Sequence, residues 1–562
     1  MRRTLILLLL LLPMGTAQAQ TWRDRIASMP IQDGGRTMPL DTFAKSIAVQ
    51  LTGRSKWSQK RGPEAFAGRH RVELICDLLF RPEAMSDRRL IAIENRPFRR
   101  RLGLDESQRF FTPHELLRNT ALQELWFAFG EAQQRDPEVR ATTDQKRALH
   151  VRASLEIVMG FMVGRRLAIV PHPAGGAYVG LGAHGADPGA EGAVEAMRAF
   201  GRAYVSGEQL DAAAADLRAD IDAIATPHAA VARAVRLEVF YNNHRPWLMT
   251  AVAYGFAIVA MGLSTVFLRK LLFMVGMVLI AWGTVEQIIG LSLRTIILDR
   301  APVSNTYEAL LWMGMVSIGV AVVAQSINRR GWYLIAGTIA AELAVLFAML
   351  VPLADQTNTL PPVLRSNYWL IVHVLTITGS YGVLALAAVL GHVYLVREIL
   401  LRRTPIRVGA LAHPTLVQTY RAIQIGVLML TAGTILGGVW AADSWGRFWG
   451  WDPKETWALI SIVVYFTMLH ARHIGWLRDF GLAVAAIVGF MSIVWTFYGV
   501  NYVMAAGLHS YGFGSGGEVW VALWAAVEIA FLGLCKWRQM ALRRMGSDGG
   551  PSGPMASIEA QP

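Results

Sequence analysis

Three hydropathy patterns succeed one another along this chain. From Pro246 onward, apolar runs lie at 247–268, 271–293, 308–325, 332–351, 369–396, 421–441, 457–474, 480–500 and 517–535. A helix needs roughly 20 apolar residues to cross the hydrocarbon of a bilayer, so about nine transmembrane helices are expected. Upstream, residues 21–245 mix polar and apolar positions at helical spacing, as in Thr143 to Arg166 and Ala193 to Tyr241, around a Gly/Pro/His-rich loop from Pro171 to Gly189. The chain begins with Met1-Arg2-Arg3, a Leu-rich core from Leu5 to Leu12, and Ala17-Gln18-Ala19. Charge, short apolar run and small residues in that order predict a secretory signal peptide, cleaved or retained as an anchor. The expected layout is a signal peptide at 1–20, a soluble α-rich domain at 21–245, a membrane domain at 246–540 and a disordered cytoplasmic tail at 541–562. The fold class is all-α: a polytopic helical membrane protein with an N-terminal α-rich extracytoplasmic domain.

Composition supports the membrane reading, with 53% hydrophobic and only 17% charged residues. The net charge of +13 does not point to nucleic acid, because much of the excess lies in short loops between the apolar runs. Arg269-Lys270, Arg329-Arg330, Arg397 to Arg407, Arg472 to Arg478 and Lys536 to Arg544 fall on one side. The other side carries few cations, mainly Arg294, Arg300, Arg365, Arg447 and Lys454. Basic loops stay in the cytoplasm, so charge and leader give the same orientation independently, in the inner (cytoplasmic) membrane with the soluble domain outside. The two cysteines, Cys76 and Cys535, then lie on opposite sides, and no CxxC or CxxCH motif occurs.

That orientation brings three features to one outer level. The first is Trp445-Gly446-Arg447-Phe448-Trp449-Gly450-Trp451-Asp452-Pro453-Lys454-Glu455-Thr456-Trp457, which is expected to make a flat aromatic surface. A flat aromatic ligand suits it, whereas an interfacial Trp belt would need none. The other two are His373, at the start of the fifth span, and His509, in Gly507-Leu508-His509-Ser510-Tyr511-Gly512 between the last two. Neutral imidazole is a common axial ligand of porphyrin iron, so two histidines beside an aromatic shelf point to haem. Arg447, Lys454 and Arg365 are candidates to pair with its propionates. Asp452 reads mainly as an N-cap, with Pro453 at the first helical position and Glu455 closing a capping box. His470 lies thirteen residues beyond Trp457, about 20 Å further along the same helix, at a depth where ionisable groups have a partner or a function. His392 is a second internal candidate, His473 lies nearer the cytoplasmic edge, and Glu286, Gln287 and Glu342 are expected to bond between helices. In the soluble domain His70, His114, His150, His172, His184 and His228 show no metal-ligand spacing.

The tryptophan-rich segment, together with Val303-Ser304-Asn305-Thr306-Tyr307-Glu308, Ser366-Asn367-Tyr368-Trp369 leading to His373, and the Gly507 to Gly512 motif, closely resembles the CcsA/ResC family of cytochrome c biogenesis proteins. These are haem-handling proteins with the WWD signature, belonging to the system II cytochrome c synthetase, and the resemblance covers roughly 240 to 540. Pro30-Ile31-Gln32 and Gly35 to Phe43 also resemble the segment that precedes this module in fused members. The resemblance implies that haem b, as cargo, is delivered to the outer face and held by Trp445, Trp449, Trp451, Asp452 and Trp457. His373 and His509 would be its axial ligands, and apocytochrome c CxxCH thiols would receive it. It further implies that His470 serves an intramembrane haem site whose other histidine belongs to a CcsB/ResB-type subunit. This chain would then be one part of a holocytochrome c synthetase, or haem lyase, served by thiol-reducing thioredoxin-like proteins. Three other classes fit the residues: a membrane b-type electron-transfer cytochrome, a small-molecule transporter without haem, and an assembly scaffold.

Overall fold

The computed structural model describes residues 21–547 except 55–56, 58–62, 64–65, 138, 140, 164–166, 171–177, 181–190, 225–228, 329–331, 351–367, 403–412 and 505–517. The leader at 1–20, most of the loop from Pro171 to Gly189, His172, His184, His228, Arg365, Ser366, Asn367, His509 with its motif, and the last part of the tail therefore lie outside the described residues. The chain divides into two units, 1–244 and 245–562.

The first unit is mainly helical, but it also holds two small antiparallel sheets that helical spacing did not suggest. Strands β1 (Pro30–Asp33), β2 (Arg36–Pro39), β5 (Ala168–Val170) and β6 (Val179–Gly180) form one in the order β2-β1-β5-β6, and β3 (Ile91–Ala92) pairs with β4 (Phe110–Phe111) in the other. Asp33 pairs with Arg36 across Gly34 and Gly35, both with positive φ, the backbone a two-residue hairpin requires. Around the sheets, Phe43, Phe66, Phe98, Phe111 and Phe200 fill a continuous core. Within this unit Arg69 donates to Glu73 and to Asp77, each at 2.7 Å, while the Tyr204 hydroxyl donates to Asp77 at 3.0 Å. Burial alone would raise the Glu73 carboxyl, but hydrogen bonds and charge from Arg69 and Arg23 outweigh it and hold the group below its ordinary value.

The second unit contains nine helices among the described residues: α1 (Pro246–Leu263), α2 (Arg269–Leu298), α3 (Thr306–Asn328), α4 (Trp332–Leu350), α5 (Tyr368–Leu395), α6 (Pro414–Trp445), α7 (Pro453–His473), α8 (Asp479–Val494) and α9 (Glu518–Ser547). Among the described residues, seven stretches of helix are long and apolar enough to cross a membrane, which makes the chain a multi-pass membrane protein. The helices outside that set are α7 and α9, which are 21 and 30 residues long but less apolar overall. Helix α9 runs past 540 to Ser547, into the segment that composition assigns to the tail. A π-helical segment, Trp495–Met504, continues α8.

Glycine brings these helices together. A Cβ at Gly283 would stand 2.5 Å from the Tyr254 ring, and one at Gly433 would stand 2.9 Å from the backbone of Ile377. Close backbone approach of this kind is how helices associate where lipid removes the hydrophobic driving force. Polar side chains then bond across the gaps. Gln287 accepts from Tyr254 and donates to the Leu311 carbonyl, both at 2.9 Å, and Ser317 donates to the Gly382 carbonyl at 2.7 Å. His392 meets Glu528 of α9 at 2.9 Å. Glu286 accepts from Trp282 on its own helix, and Glu342 lies beside Gly255 of α1. Cys76 and Cys535 are both free and buried.

Removing the Asp77 carboxylate leaves the Arg69 and Tyr204 donors without it, so Asp77→Ala should lower stability by about 3 kcal/mol, read as a fall in Tm. The contribution of Glu73 is fully present above its ordinary value of about 4.5 and is lost as pH falls through the lower folded value, so a Glu73→Gln variant should show a flatter acid limb of stability.

Candidate functional site

The site begins where α5 and α6 cross. His373 stands in the second turn of α5, and its Nδ1 lies 2.7 Å from the Gly433 carbonyl of α6. Its ring lies over Gly437, one turn further on, where an added Cβ would stand 2.7 Å from Cε1. The next residue, Gly438, carries the phenyl ring of Phe448 in the same way, with an added Cβ 2.6 Å from Cζ. One end of α6 thus seats both the histidine and the tryptophan-rich loop.

Local sequence explains how that loop leaves and re-enters helix. Gly446 ends α6 in the left-handed conformation, at φ 71. Asp452, only 6% exposed, accepts from the Lys454 amide at 3.0 Å and starts α7. Glu455 accepts from the Asp452 amide at 3.2 Å and from that of Gly450 at 2.7 Å, which completes the capping box and extends it into the loop. Between these stops, Trp451 sits at φ 56 with 70% of its surface exposed, and Phe448 is 50% exposed. A bulky side chain in that backbone region is a strained arrangement of the kind that clusters at ligand clamps.

The aromatic surface differs from the flat shelf expected. Trp440 and Trp445 meet at 4.6 Å and 64°, Trp449 and Trp451 at 6.0 Å and 89°, and Trp457 and Trp495 at 5.7 Å and 62°. Ring quadrupoles favour these edge-to-face pairs, so the indoles form three angled pairs rather than one plane. Trp440, 1% exposed, stands five residues before Trp445 on the same helix, just upstream of the cluster singled out from sequence. Two of the three expected propionate partners are engaged, and the third, Arg365, lies outside the described residues. Arg447 lies 3.9 Å from Glu455 and over the Trp445 ring, and Lys454 donates to Asn501 at 3.0 Å.

Asn501 belongs to the π-helical segment, and further bonds tie that segment to α7. Thr496 donates to the Trp457 carbonyl at 3.1 Å and lies 2.9 Å from the Ser461 hydroxyl. Tyr502 donates to Thr306 at 3.1 Å, at the start of α3. There Glu308, fully buried, accepts from Arg294 at 2.8 Å and from the Ser304 amide at 3.0 Å, with Arg300 at 3.5 Å. This ion cluster was not legible as such, since Arg294 and Arg300 read as loop charges and Glu308 as part of a motif. His373, Trp445, Arg447, Trp449, Trp451, Asp452, Lys454 and Trp457 are therefore joined through α6, the loop and the start of α7. His470 stands apart, further along α7 and exposed, with Nδ1 2.8 Å from the Phe466 carbonyl. His509 follows the π-helical segment outside the described residues.

Comparison with known proteins matches residues 303–509 to the family described as Cytochrome C assembly protein. The chain is 35% identical over 269 residues to the cytochrome c biogenesis protein CcsA of Prochlorococcus marinus, covering 42% of this chain and 83% of that protein. It is 31% identical over 285 residues to CcsA of Gloeobacter violaceus, covering 40% and 82%. With protein NrfI of Wolinella succinogenes it shares 37% identity over 231 residues, 40% of this chain but only 25% of that one.

Loss of the cap at Asp452 exposes the first amides of α7. Asp452→Ala should cost about 1 kcal/mol and Asp452→Ser much less, as read by thermal unfolding of the full-length protein in detergent.

Proposed function

The chain belongs to the CcsA family of cytochrome c biogenesis proteins and acts in cytochrome c maturation, and from that premise we propose that it is the haem-presenting subunit of a cytochrome c synthetase. The observation that carries this reading is the shared seat on α6: an imidazole held through its Nδ1 beside a loop that exposes Phe448 and Trp451. Haem b is the cargo, bound by Trp445, Trp449, Trp451, Asp452 and Trp457. His373 is one axial ligand, and His509, matching the family motif, is the other. Neither Arg447 nor Lys454 needs to be unpaired to meet a propionate, because a cation held by Glu455 or Asn501 is already oriented at the loop.

The work of the protein is positional. In thioether formation a cysteine thiol of apocytochrome c adds across a haem vinyl group. The sulfur–carbon bond forms, the thiol proton ends on the neighbouring carbon, and no oxidant is consumed. This chain supplies no evident nucleophile. It holds the porphyrin so that a vinyl edge faces the incoming CxxCH segment. The capping box, the Gly446 turn and the ties to the π-helical segment restrain the loop that does so.

His470 lies on an exposed face of α7, with its Nδ1 bonded within its own helix. That placement suits an intramembrane haem site completed by a histidine of a CcsB/ResB-type subunit. The orientation that follows from loop charge puts the protein in the cytoplasmic membrane, with residues 21–245, the loop and His373 outside, where thioredoxin-like reductants keep apocytochrome thiols reduced.

Co-purified with its partner subunit from haem-sufficient cells, the wild-type protein should carry haem detectable as a pyridine haemochrome. His373→Ala and His509→Ala should each abolish cytochrome c assembly and change the haem spectrum, while His470→Ala should reduce haem content. Unchanged assembly in both outer variants would overturn the ligand assignment. Bound haem that never passes into apocytochrome would favour an electron-transfer cytochrome instead.

A further inference from the structure

Two glycines of α6 occupy positions where the ligand assigned above could be oriented. Gly433 and Gly437 are four residues apart, so they lie on one helix face, one turn from each other. Gly433 offers its carbonyl to His373 Nδ1 at 2.7 Å. Gly437 offers an absence: a Cβ there would stand 2.7 Å from Cε1 and 2.9 Å from Nδ1 of the same ring. A carbonyl oxygen has no proton to give, so the proton of the neutral imidazole sits on Nδ1 and the acceptor lone pair on Nε2. The ring plane is then fixed from two sides, by a hydrogen bond at its edge and by bare helix backbone beneath it. His392 and His470 differ, for each places Nδ1 against the carbonyl four residues earlier on its own helix, Ala388 and Phe466. Of these three, only His373 has its Nδ1 held by a neighbouring helix. That helix also seats Phe448 on Gly438, immediately after Gly437.

Resting on the ligand role assigned to His373, we infer that Gly433 and Gly437 are positioning residues for haem: they set the tautomer and plane of the axial imidazole and lock it in register with the tryptophan-rich loop. A hydrogen bond to the far nitrogen of a ligating imidazole fixes ring orientation and raises basicity toward the metal. Because Gly437 and Gly438 are consecutive, a shift of α6 would move imidazole and loop together and leave their mutual geometry intact. A side chain at 437 would instead push the imidazole away from the Gly433 carbonyl while the loop stayed seated.

The test compares Gly437→Ala with two controls in the full-length protein co-purified with its partner subunit. Gly426→Ala is the packing control, since a Cβ there meets the Leu384 side chain at 2.5 Å in the same pair of helices but away from His373. The readouts are pyridine haemochrome content, the reduced α-band and the low-spin electron paramagnetic resonance signal. Gly437→Ala should lower haem content at least about threefold or shift the low-spin signal, while Gly426→Ala keeps the wild-type spectrum even if its Tm falls as far. A wild-type spectrum and content in Gly437→Ala, or the same spectral change in Gly426→Ala, would overturn the inference while leaving the ligand standing. An unchanged spectrum in His373→Ala would overturn the ligand assignment itself, and this inference with it. Should Gly437→Ala not be recovered folded, the double variant Gly437→Ala/His373→Ala decides. Its recovery locates the clash at the imidazole, as expected, and its failure to fold places the clash elsewhere and refutes the proposal.

Discussion

The contact on which the rest of this structure depends is the close approach of α5 to the glycine face of α6. Where Gly426, Gly433 and Gly437 leave no side chain, Leu384, Ile377 and His373 of α5 come down onto the α6 backbone. In lipid, apolar side chains gain nothing by leaving one hydrocarbon surface for another, so tight packing and interhelical hydrogen bonds must hold the pair. The Gly433 carbonyl contributes to both, because its two lone pairs serve its own helix and the imidazole of a residue sixty positions away. A side chain at position 433 would meet the Ile377 backbone, separating the helices and breaking that bond together.

From this contact, restraint passes outward along the chain. Helix α6 ends at Gly446, the loop turns with Phe448 against Gly438, and α7 begins at Asp452 under a capping box. The first turns of α7 are then tied to the π-helical segment through Lys454, Trp457 and Ser461, and that segment is tied to α3 through Tyr502. The wide turns of a π-helix recur at functional sites in place of a regular α-helix. Here they fall on the segment that leads toward His509. The buried Glu308 with Arg294 and Arg300 anchors the same end of the bundle, where an unpaired carboxylate would be costly. Strain at Trp451 and exposure of two large aromatic side chains are thus confined to a loop whose both ends are fixed.

What could be read from the residues, and what could not, follows from the range of the forces involved. The capping box at Asp452 and Glu455 was legible because all its donors and acceptors lie within six residues. The hairpin at Gly34-Gly35 was equally local, and its Asp-Gly-Gly turn was a usable signal that the helical spacing on either side concealed. The partner of His373 was not legible, since nothing near position 373 refers to Gly433. The expectation of a flat aromatic surface failed for a related reason: clustering in sequence says nothing of the dihedral angles that turn each indole edge-on to its neighbour.

The amino-acid sequence by itself determined that this protein lies in a membrane as a bundle of helices, that its tryptophan-rich segment ends in a capped helix, and which histidines merit attention. Periodicity, helix capping and the cost of burying backbone polar groups act over a few residues, so the order of residues suffices to express them. Only the tertiary structure decided that an imidazole on α5 and a phenyl ring from the loop rest on neighbouring glycines of α6, and that Arg294 is held by Glu308. Those pairings depend on which helix faces meet and how closely, and the meeting is settled by small residues whose significance lies in the side chains they lack.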